Sequence, residues 1–156
     1  MRRFRLATAD ETEALGAALA RLAHPGVTFA VAGPLGAGKT CLARGLITAL
    51  NPTTPEEIIS PTFTLVQTYD TAAGPVWHFD LYRLKHAEEA IELGFEDALG
   101  EISVIEWPDR LGGFLPADRI DVALAQSGDG REARVTGQGK YADAVRSWEL
   151  ALRELK

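Results

Sequence analysis

The chain has 156 residues, 46% of them hydrophobic and 24% charged, a composition typical of a single globular domain. No apolar run reaches the roughly 20 residues of a membrane span, and no apolar segment follows the basic residues 1–5, which argues against a membrane anchor or a secretory signal. A formal net charge of −6 excludes a global positive field that would attract nucleic acid.

The first two elements are predicted from local patterns. Thr8 and Glu11 have the spacing of a capping box, so a helix is expected to begin there and to end at Pro25-Gly26. The apolar residues 27–32 then predict a short buried strand.

A phosphate-binding loop follows this strand directly. The segment Gly33-Pro34-Leu35-Gly36-Ala37-Gly38-Lys39-Thr40 meets the pattern G-x-x-x-x-G-K-[ST] in full, and a helical pattern over residues 41–50 leads out of it. Lys39 is expected to reach the β- and γ-phosphates, and the Thr40 hydroxyl to ligate Mg²⁺. We therefore predict that the chain binds a nucleoside triphosphate with Mg²⁺. The residues expected to hold the phosphates are Leu35, Gly36, Ala37, Gly38, Lys39, Thr40 and Cys41.

Cys41 is the single cysteine of the chain, so no internal disulfide can form. This suits a reducing compartment, and we expect a cytoplasmic protein. Because Cys41 lies at the start of a helix, the pKa of its thiol could be lowered. The favoured interpretation is that Cys41 is simply a small residue that packs under the loop.

The next segment predicts a hairpin. Residues 60–69 form an extended stretch, residues 71–75 a turn and residues 76–80 a second extended run. The start, Ser60-Pro61-Thr62-Phe63-Thr64, resembles the sensor loop of small GTPases, in which a threonine detects the γ-phosphate and Mg²⁺. Thr62 has this role or simply begins the strand, and the sequence leaves both open.

The second half alternates short elements. We predict a helix over residues 86–93 followed by Gly94, a strand over 102–107, and a last strand pair over 120–125 and 131–136. A C-terminal helix is expected within residues 136–156, from about Gln138. Its apolar face either docks on the core, the favoured interpretation, or binds a partner. That face consists of Tyr141, Val145, Trp148, Leu152 and Leu155.

Two carboxylates complete the predicted site. Asp80 and Glu106 each close an apolar strand, and ligands of open α/β sheets bind at the carboxyl ends of their strands. Both are candidates to hold Mg²⁺ or to position an attacking water. Glu106 is favoured as the metal partner, with Asp80 either sharing the metal or orienting water. Together with Lys39, they are the candidate catalytic groups.

The base is less clearly specified. Asn51 is the only asparagine, so the Asn-Lys-x-Asp element of guanine-specific relatives is absent, which favours ATP over GTP. The Thr12 region and Arg131 are candidates to flank the base.

His78, between two aromatic residues on a strand, is interpreted as a buried core histidine rather than a ligand.

These elements predict a fold in the α/β class. We expect a single P-loop ATPase domain over residues 1–156, with the three layers of a P-loop NTPase. Its central sheet should be mostly parallel with antiparallel additions and helices on both faces.

Four motifs in this order resemble the bacterial TsaE (YjeE) family over about residues 5–136. They are the phosphate loop, Ser60-Pro61-Thr62-Phe63-Thr64-Leu65-Val66, His78-Phe79-Asp80-Leu81-Tyr82-Arg83-Leu84 and Ile105-Glu106-Trp107-Pro108. The chain departs from the family at two positions. The family usually has an acid where Pro34 stands and Thr or Ser where Cys41 stands, and both differences bear on how fast nucleotide exchanges.

The resemblance implies an ATPase of tRNA threonylcarbamoyladenosine biosynthesis, which modifies the adenosine at position 37 of tRNA. It implies that TsaD and TsaB are partners, that tRNA is met only through their complex, and that ATP hydrolysis resets this complex. It also implies that Lys39 and Thr40 bind phosphate and Mg²⁺, and that Asp80, Glu106 and Trp107 are needed for activity.

Two other functions remain open from the sequence. A P-loop small-molecule kinase fits the size, with Arg83 or Arg110 as lid arginines, but no compact lid with paired arginines stands out. A nucleotide-dependent scaffold that barely hydrolyses ATP is the other alternative.

Overall fold

A computed structural model of the chain describes residues 2–51 and 65–154. One seven-stranded sheet runs through it in the order β1-β7-β6-β2-β5-β4-β3. The four central strands, β6-β2-β5-β4, are parallel, whereas β3 at one edge and β7 and β1 at the other are antiparallel to their neighbours. The strands are β1 (Arg2–Leu6), β2 (Thr28–Ala32), β3 (Val66–Thr71), β4 (Gly74–Asp80), β5 (Ile102–Glu106), β6 (Arg119–Ser127) and β7 (Gly130–Gln138).

Helices cover both faces of this sheet. The α-helices are α1 (Ala9–Leu19), α2 (Lys39–Leu50), α3 (Glu89–Glu92), α4 (Phe95–Ala98) and α5 (Ala142–Glu154), and 3₁₀ segments are Ala20–Leu22, Pro108–Phe114 and Gly139–Tyr141. One core cluster joins the sheet to α1, α2 and α5, and a second joins it to α3, α4 and the 3₁₀ segment that follows β5. The result is a mixed α/β fold of three layers with a mostly parallel centre, as the sequence predicts.

The helix pair α1–α2 forms because the sequence permits an unusually close contact. The predicted capping box is confirmed: the Thr8 hydroxyl accepts from the Glu11 N–H at 3.2 Å, and the Glu11 carboxylate accepts from the Thr8 N–H at 3.1 Å. A Cβ added at Gly45 would lie 2.1 Å from the Glu13 carbonyl oxygen. Only glycine therefore lets the two backbones approach this closely.

The sequence missed one strand and misplaced the bounds of several elements. Strand β1 pairs with β7 over residues 131–135, a partner more than a hundred residues away that no local pattern reveals. The helix expected over residues 86–93 is shortened to α3, mainly at its start, where the His86 N–H donates to the Glu89 carboxylate at 2.8 Å; Gly94 follows it with a left-handed φ of 89°, as predicted. The C-terminal helix begins at Ala142 instead of about Gln138, since β7 extends to Gln138.

The C-terminal helix docks on the core, as favoured by the sequence; Leu155 of its predicted apolar face lies outside the described residues. Tyr141, Val145 and Trp148 are buried in the first cluster, and the Trp148 indole N–H donates to the Ala18 carbonyl at 2.7 Å. The predicted hairpin is present from Val66 to Asp80, with Thr71 paired to Gly74 at its turn, whereas residues 60–64 of its predicted first strand lie outside the described residues. Over residues 2–51 and 65–154, no helix has the length and apolar character that crossing a membrane needs.

Candidate functional site

The carboxyl ends of β2, β4 and β5 meet at one edge of the sheet, because parallel strands end on the same side. There they border a cavity of about 320 Å³, which we call the loop cavity. Its lining brings most of the predicted site residues together: Leu35, Gly36, Gly38, Lys39, Thr40, Cys41, Asp80, Glu106, Trp107 and Arg131.

The phosphate loop is shaped by its glycines. Gly33, Gly36 and Gly38 have φ values of 153°, 77° and 100°, a region that side-chain-bearing residues rarely adopt. Gly38 is the N-cap of α2, so the N–H groups of the first helical turn face the loop cavity with no capping side chain in front of them. Ala37 is buried below the lining, and its N–H donates to the Pro34 carbonyl at 3.2 Å.

Lys39 closes the loop on itself. Its ammonium donates to the carbonyls of Gly33 and Pro34 at 2.9 and 2.7 Å. It also lies 4.3 Å from the centroid of the Trp107 ring, close enough for a cation–π contact. Burial lowers the pKa of Lys39 below its usual range, while the charges of Glu106 and Asp80 act in the opposite direction. A cation is thus held in a partly desolvated place where an anionic ligand would be strongly attracted.

Thr40 and Glu106 form the centre of the site. The Thr40 hydroxyl lies 3.0 and 3.1 Å from the two Glu106 carboxylate oxygens. Glu106 is only 2% exposed, and its Oε2 atom lies 2.6 Å from Nε2 of the fully buried His78. One carboxylate is therefore held between a hydroxyl from the phosphate-loop helix and an imidazole from β4.

Asp80 is directly paired with Glu106 in the β4–β5 register, so both side chains project from the same face of the sheet. Its Oδ1 atom accepts from the Tyr82 N–H at 3.1 Å, which fixes the carboxylate at the strand end. Trp107 follows Glu106 with a left-handed φ of 60°, and its ring stands 4.9 Å from that of Tyr82. This unusual backbone turns the indole toward Lys39.

A second, smaller recess of about 180 Å³ shares Arg131 with the loop cavity. The Gln126 amide donates to the Gly36 carbonyl at 3.2 Å, which ties the end of β6 to the phosphate loop. The Arg131 side chain packs over Gly38, where an added Cβ would lie 2.7 Å from Nη1, and this buried Nη1 makes no hydrogen bond within the described residues. The recess is lined by Leu6, Ala7, Thr8, Ala9, Gln126, Asp129, Gly130 and Arg131.

Among the described residues, the predicted nucleotide contacts Thr12 and Ala37 line neither space. Thr12 is fully buried in α1, and its hydroxyl bonds back to the Thr8 carbonyl at 3.4 Å. Thr8, one turn earlier, lines the recess instead. Thr62 lies outside the described residues, so its sensor role stays a prediction.

The pKa of the Cys41 thiol is raised, whereas the sequence had left a lowered pKa open. Burial, and then the negative charge of Glu13, raises the pKa of Cys41 above its usual range. The thiol donates to the Ala9 carbonyl at 3.3 Å. It therefore packs between α2 and the start of α1 as a neutral group, as favoured by the sequence.

The sequence did not predict that His78 and Gln126 contribute to the site. His78 was interpreted as a core histidine, yet it contacts Glu106. Gln126 was not considered at all. A signal for His78 was available, because a residue two positions before Asp80 on the same strand must face the same side as Asp80. Gln126 gave no comparable signal.

Comparison with known proteins identifies the family. The family model described as "Threonylcarbamoyl adenosine biosynthesis protein TsaE" matches residues 6–134. The chain belongs to the TsaE family. Rickettsia felis TsaE, a tRNA threonylcarbamoyladenosine biosynthesis protein, is 43% identical over 116 residues, which are 74% of this chain and 67% of that protein. Bacillus subtilis TsaE is 31% identical over 140 residues, 88% of this chain and 86% of that protein.

A solved structure agrees with this assignment. The crystal structure of Bacillus subtilis YdiB superposes with a TM-score of 0.81 at 26% identity, covering 98% of this chain and 95% of that one. The family model and the TsaE relatives confirm the resemblance inferred from the four motifs. The matched residues include the phosphate loop and both carboxylates that line the loop cavity.

Proposed function

We propose that this TsaE family member is an Mg²⁺-dependent ATP hydrolase with a P-loop NTPase-like fold. In this proposal it acts with TsaD and TsaB in threonylcarbamoylation of adenosine 37 in tRNA, and its hydrolysis of ATP resets their complex. The observation that carries the proposal is the loop cavity, where a glycine-shaped loop, the Lys39 ammonium, the Thr40 hydroxyl and two buried carboxylates face one space. The family name supports the pathway.

The loop and Lys39 are suited to bind a triphosphate. Backbone N–H groups at the start of α2 are free to donate to phosphate oxygens, and the helix dipole adds positive potential there. The present partners of Lys39 are two neutral carbonyls and an aromatic ring, each of which attracts an ammonium less than a phosphate does. Lys39 would therefore exchange these contacts for phosphate oxygens when nucleotide binds.

The donor atoms around Thr40 fit Mg²⁺. The ion prefers oxygen ligands and is usually bound by one or two carboxylates together with substrate phosphates. The site offers the Thr40 hydroxyl and the carboxylates of Glu106 and Asp80. Within residues 2–51 and 65–154, no group of three or more His, Cys, Asp and Glu side chains forms a metal site by itself. This suits an ion that is held jointly with a nucleotide.

The hydrogen bonds favour a division of roles between the acids. Glu106 contacts the Thr40 hydroxyl through both oxygens, so Thr40 and Glu106 would share Mg²⁺. When bound, Mg²⁺ would neutralise the charge that develops on the phosphates. Asp80, fixed by the Tyr82 N–H, is the group that would share the metal or orient the attacking water.

The small recess is the best place for the rest of the nucleotide. It shares Arg131 with the loop cavity, and the lining atoms exposed to it are almost all polar, with Thr8 and Gln126 among the residues that can hydrogen-bond a base or ribose. A planar guanidinium can also stack on a base. We propose that Arg131 and the Thr8 turn, rather than Thr12, flank the adenosine.

The test is ATP turnover by this chain alone and with the TsaD–TsaB complex, in the wild type and in Lys39→Ala. The matched control is Lys85→Ala, which removes an exposed lysine that does not line the loop cavity. We expect the complex to stimulate turnover strongly and Lys39→Ala to lose about 2–5 kcal/mol of transition-state stabilisation.

Other outcomes separate the alternatives. Turnover without stimulation would keep the nucleotide site but remove the assigned role with TsaD and TsaB. Transfer of phosphate to a metabolite would replace the hydrolase with a kinase. Equal turnover in the wild type and Lys39→Ala would overturn the site itself.

A further inference from the structure

The buried histidine of β4 contacts the nucleotide site rather than the apolar core alone. His78 Nε2 lies 2.6 Å from Oε2 of Glu106, and both side chains are almost completely buried. Nε2 is the ring nitrogen that faces the carboxylate, so an imidazole that carries its hydrogen on Nε2 donates to Oε2 of Glu106. This carboxylate is also the one that contacts the Thr40 hydroxyl.

The sheet register explains why this contact is possible. Asp80 is paired with Glu106, and His78 is paired with Val104, two residues before Glu106. His78 is therefore a diagonal neighbour of Glu106 on the same face, a spacing that long side chains can bridge. The contact is fixed by two rigid strands in the centre of the sheet.

Stability alone gives a poor reason for a histidine at this position. Its other ring nitrogen, Nδ1, is buried and has no hydrogen-bond partner within the described residues. A buried polar atom without a partner destabilises a fold, whereas an apolar side chain of similar volume would leave no such atom. The only polar contact described for this side chain is with the site carboxylate.

We propose that His78 is a positioning residue of the nucleotide site. It holds Oε2 of Glu106 so that the carboxylate faces the Thr40 hydroxyl and stays oriented for Mg²⁺. The proposal rests on the proposed function, since it concerns how the ion is held. Hydrogen-bond partners of ligating carboxylates typically change metal affinity or activity by about 10–100-fold when they are removed.

The test compares three variants by where they place a donor. His78→Gln puts an amide nitrogen near the position of Nε2, His78→Asn puts one near Nδ1, and His78→Leu offers none. Binding of a fluorescent ATP analogue is measured with EDTA and over a Mg²⁺ titration, and turnover is measured over the same titration. Thermal unfolding is recorded for each variant.

We expect binding in EDTA to be unchanged in all three variants, because the loop and Lys39 do not contact His78. The Mg²⁺ concentration for half-maximal effect should rise about 10-fold or more in His78→Leu and His78→Asn. His78→Gln should restore most of this loss. If His78→Leu does not fold, the comparison of Gln with Asn decides the question.

A double-variant cycle with Glu106→Gln adds an independent readout. If His78 acts through Glu106, the effects on the Mg²⁺ titration should be strongly non-additive. Additive effects, wild-type Mg²⁺ dependence in His78→Leu, or equal losses in Gln and Asn that follow thermal stability would overturn the positioning role.

These results are distinguishable from failure of the proposed function. Wild-type protein that binds no nucleotide would remove the proposed nucleotide site, and binding without any Mg²⁺ effect would remove the metal role of Glu106 and this proposal with it. A normal Mg²⁺ effect that His78 variants leave unchanged would overturn the positioning role alone.

Discussion

The loop cavity and the contact between α1, α2 and α5 both bury polar atoms, but their surroundings differ. At the helices, the Trp148 indole N–H is satisfied by the Ala18 carbonyl, and the surrounding side chains are apolar. At the loop cavity, an ammonium and two carboxylates are nearly buried, and Nδ1 of His78 has no described partner. The helical contact is arranged for stability, whereas the loop cavity retains charges that a stable apolar core would not need.

This difference predicts that substitutions in the two regions affect activity and stability separately. Substitutions at the loop cavity should reduce activity with little loss of stability, and substitutions at the helical contact should do the reverse. The four predictions that follow test this separation, and they run from the largest expected effect to the smallest.

The sharpest separation is expected for Glu106→Gln. The amide keeps the size and can still accept from His78, but it removes the charge that we propose to hold Mg²⁺. We expect turnover to fall about 100-fold or more while the unfolding free energy changes by less than about 1 kcal/mol. Steady-state turnover and urea unfolding would measure the two effects.

Asp143→Asn is the matched control for this change, because Asp143 is an acid on α5 with 92% of its side chain exposed, and its ion pair with the exposed Arg146 contributes little to stability. It should alter neither quantity. Turnover close to that of the wild type in Glu106→Gln would contradict the proposed role of the carboxylate.

The reverse pattern is expected for Gly45→Ala. Its Cβ would come within 2.1 Å of the Glu13 carbonyl oxygen, which is rigid backbone of the neighbouring helix. We expect a loss of about 1–3 kcal/mol in the unfolding free energy, since the helices must separate. Gly113→Ala is the control, because no atom lies within 4 Å of its added Cβ. Equal stability of the two variants would show that α1 and α2 do not pack this closely.

A smaller stability effect is expected for Trp148→Phe. The aromatic ring is kept, but the Ala18 carbonyl loses its donor. We expect a loss of about 1 kcal/mol by urea unfolding, with ATP turnover unchanged. Leu150→Ala on the same helix should have a smaller effect because Leu150 is 53% exposed. A larger effect at Leu150 would mean that this face of α5 is covered in solution.

The smallest effect concerns the pH dependence of Cys41. Because burial raises the pKa of its thiol, less thiolate is present at a given pH than in the unfolded chain. The alkylation rate of the native protein should therefore stay below that of the urea-unfolded protein. A free thiol is half ionised at about pH 8.5, and the rate of the native protein should still increase with pH beyond that value. Iodoacetamide labelling followed by mass spectrometry measures both rates. Faster labelling of the native protein than of the unfolded protein at neutral pH would mean that the pKa of Cys41 is lowered, not raised.

The local features of the chain were readable from its sequence. The capping box, the strand before the phosphate loop, the hairpin and the two acids at strand ends each depend on residues within a few positions of one another. Such patterns constrain the backbone before any tertiary contact forms. They were sufficient to predict the parallel centre of the sheet and most of the loop-cavity lining.

The tertiary structure decided what depends on distant residues. Thr40 meets Glu106 across 66 positions, and Gln126 meets Gly36 across 90. Strand β1, the Glu106 contact of His78 and the place of Thr8 beside Arg131 likewise follow from strand order and register. A local pattern specifies which residues can form an element and which face they share. Only the packed sheet determines which of these faces and ends come together.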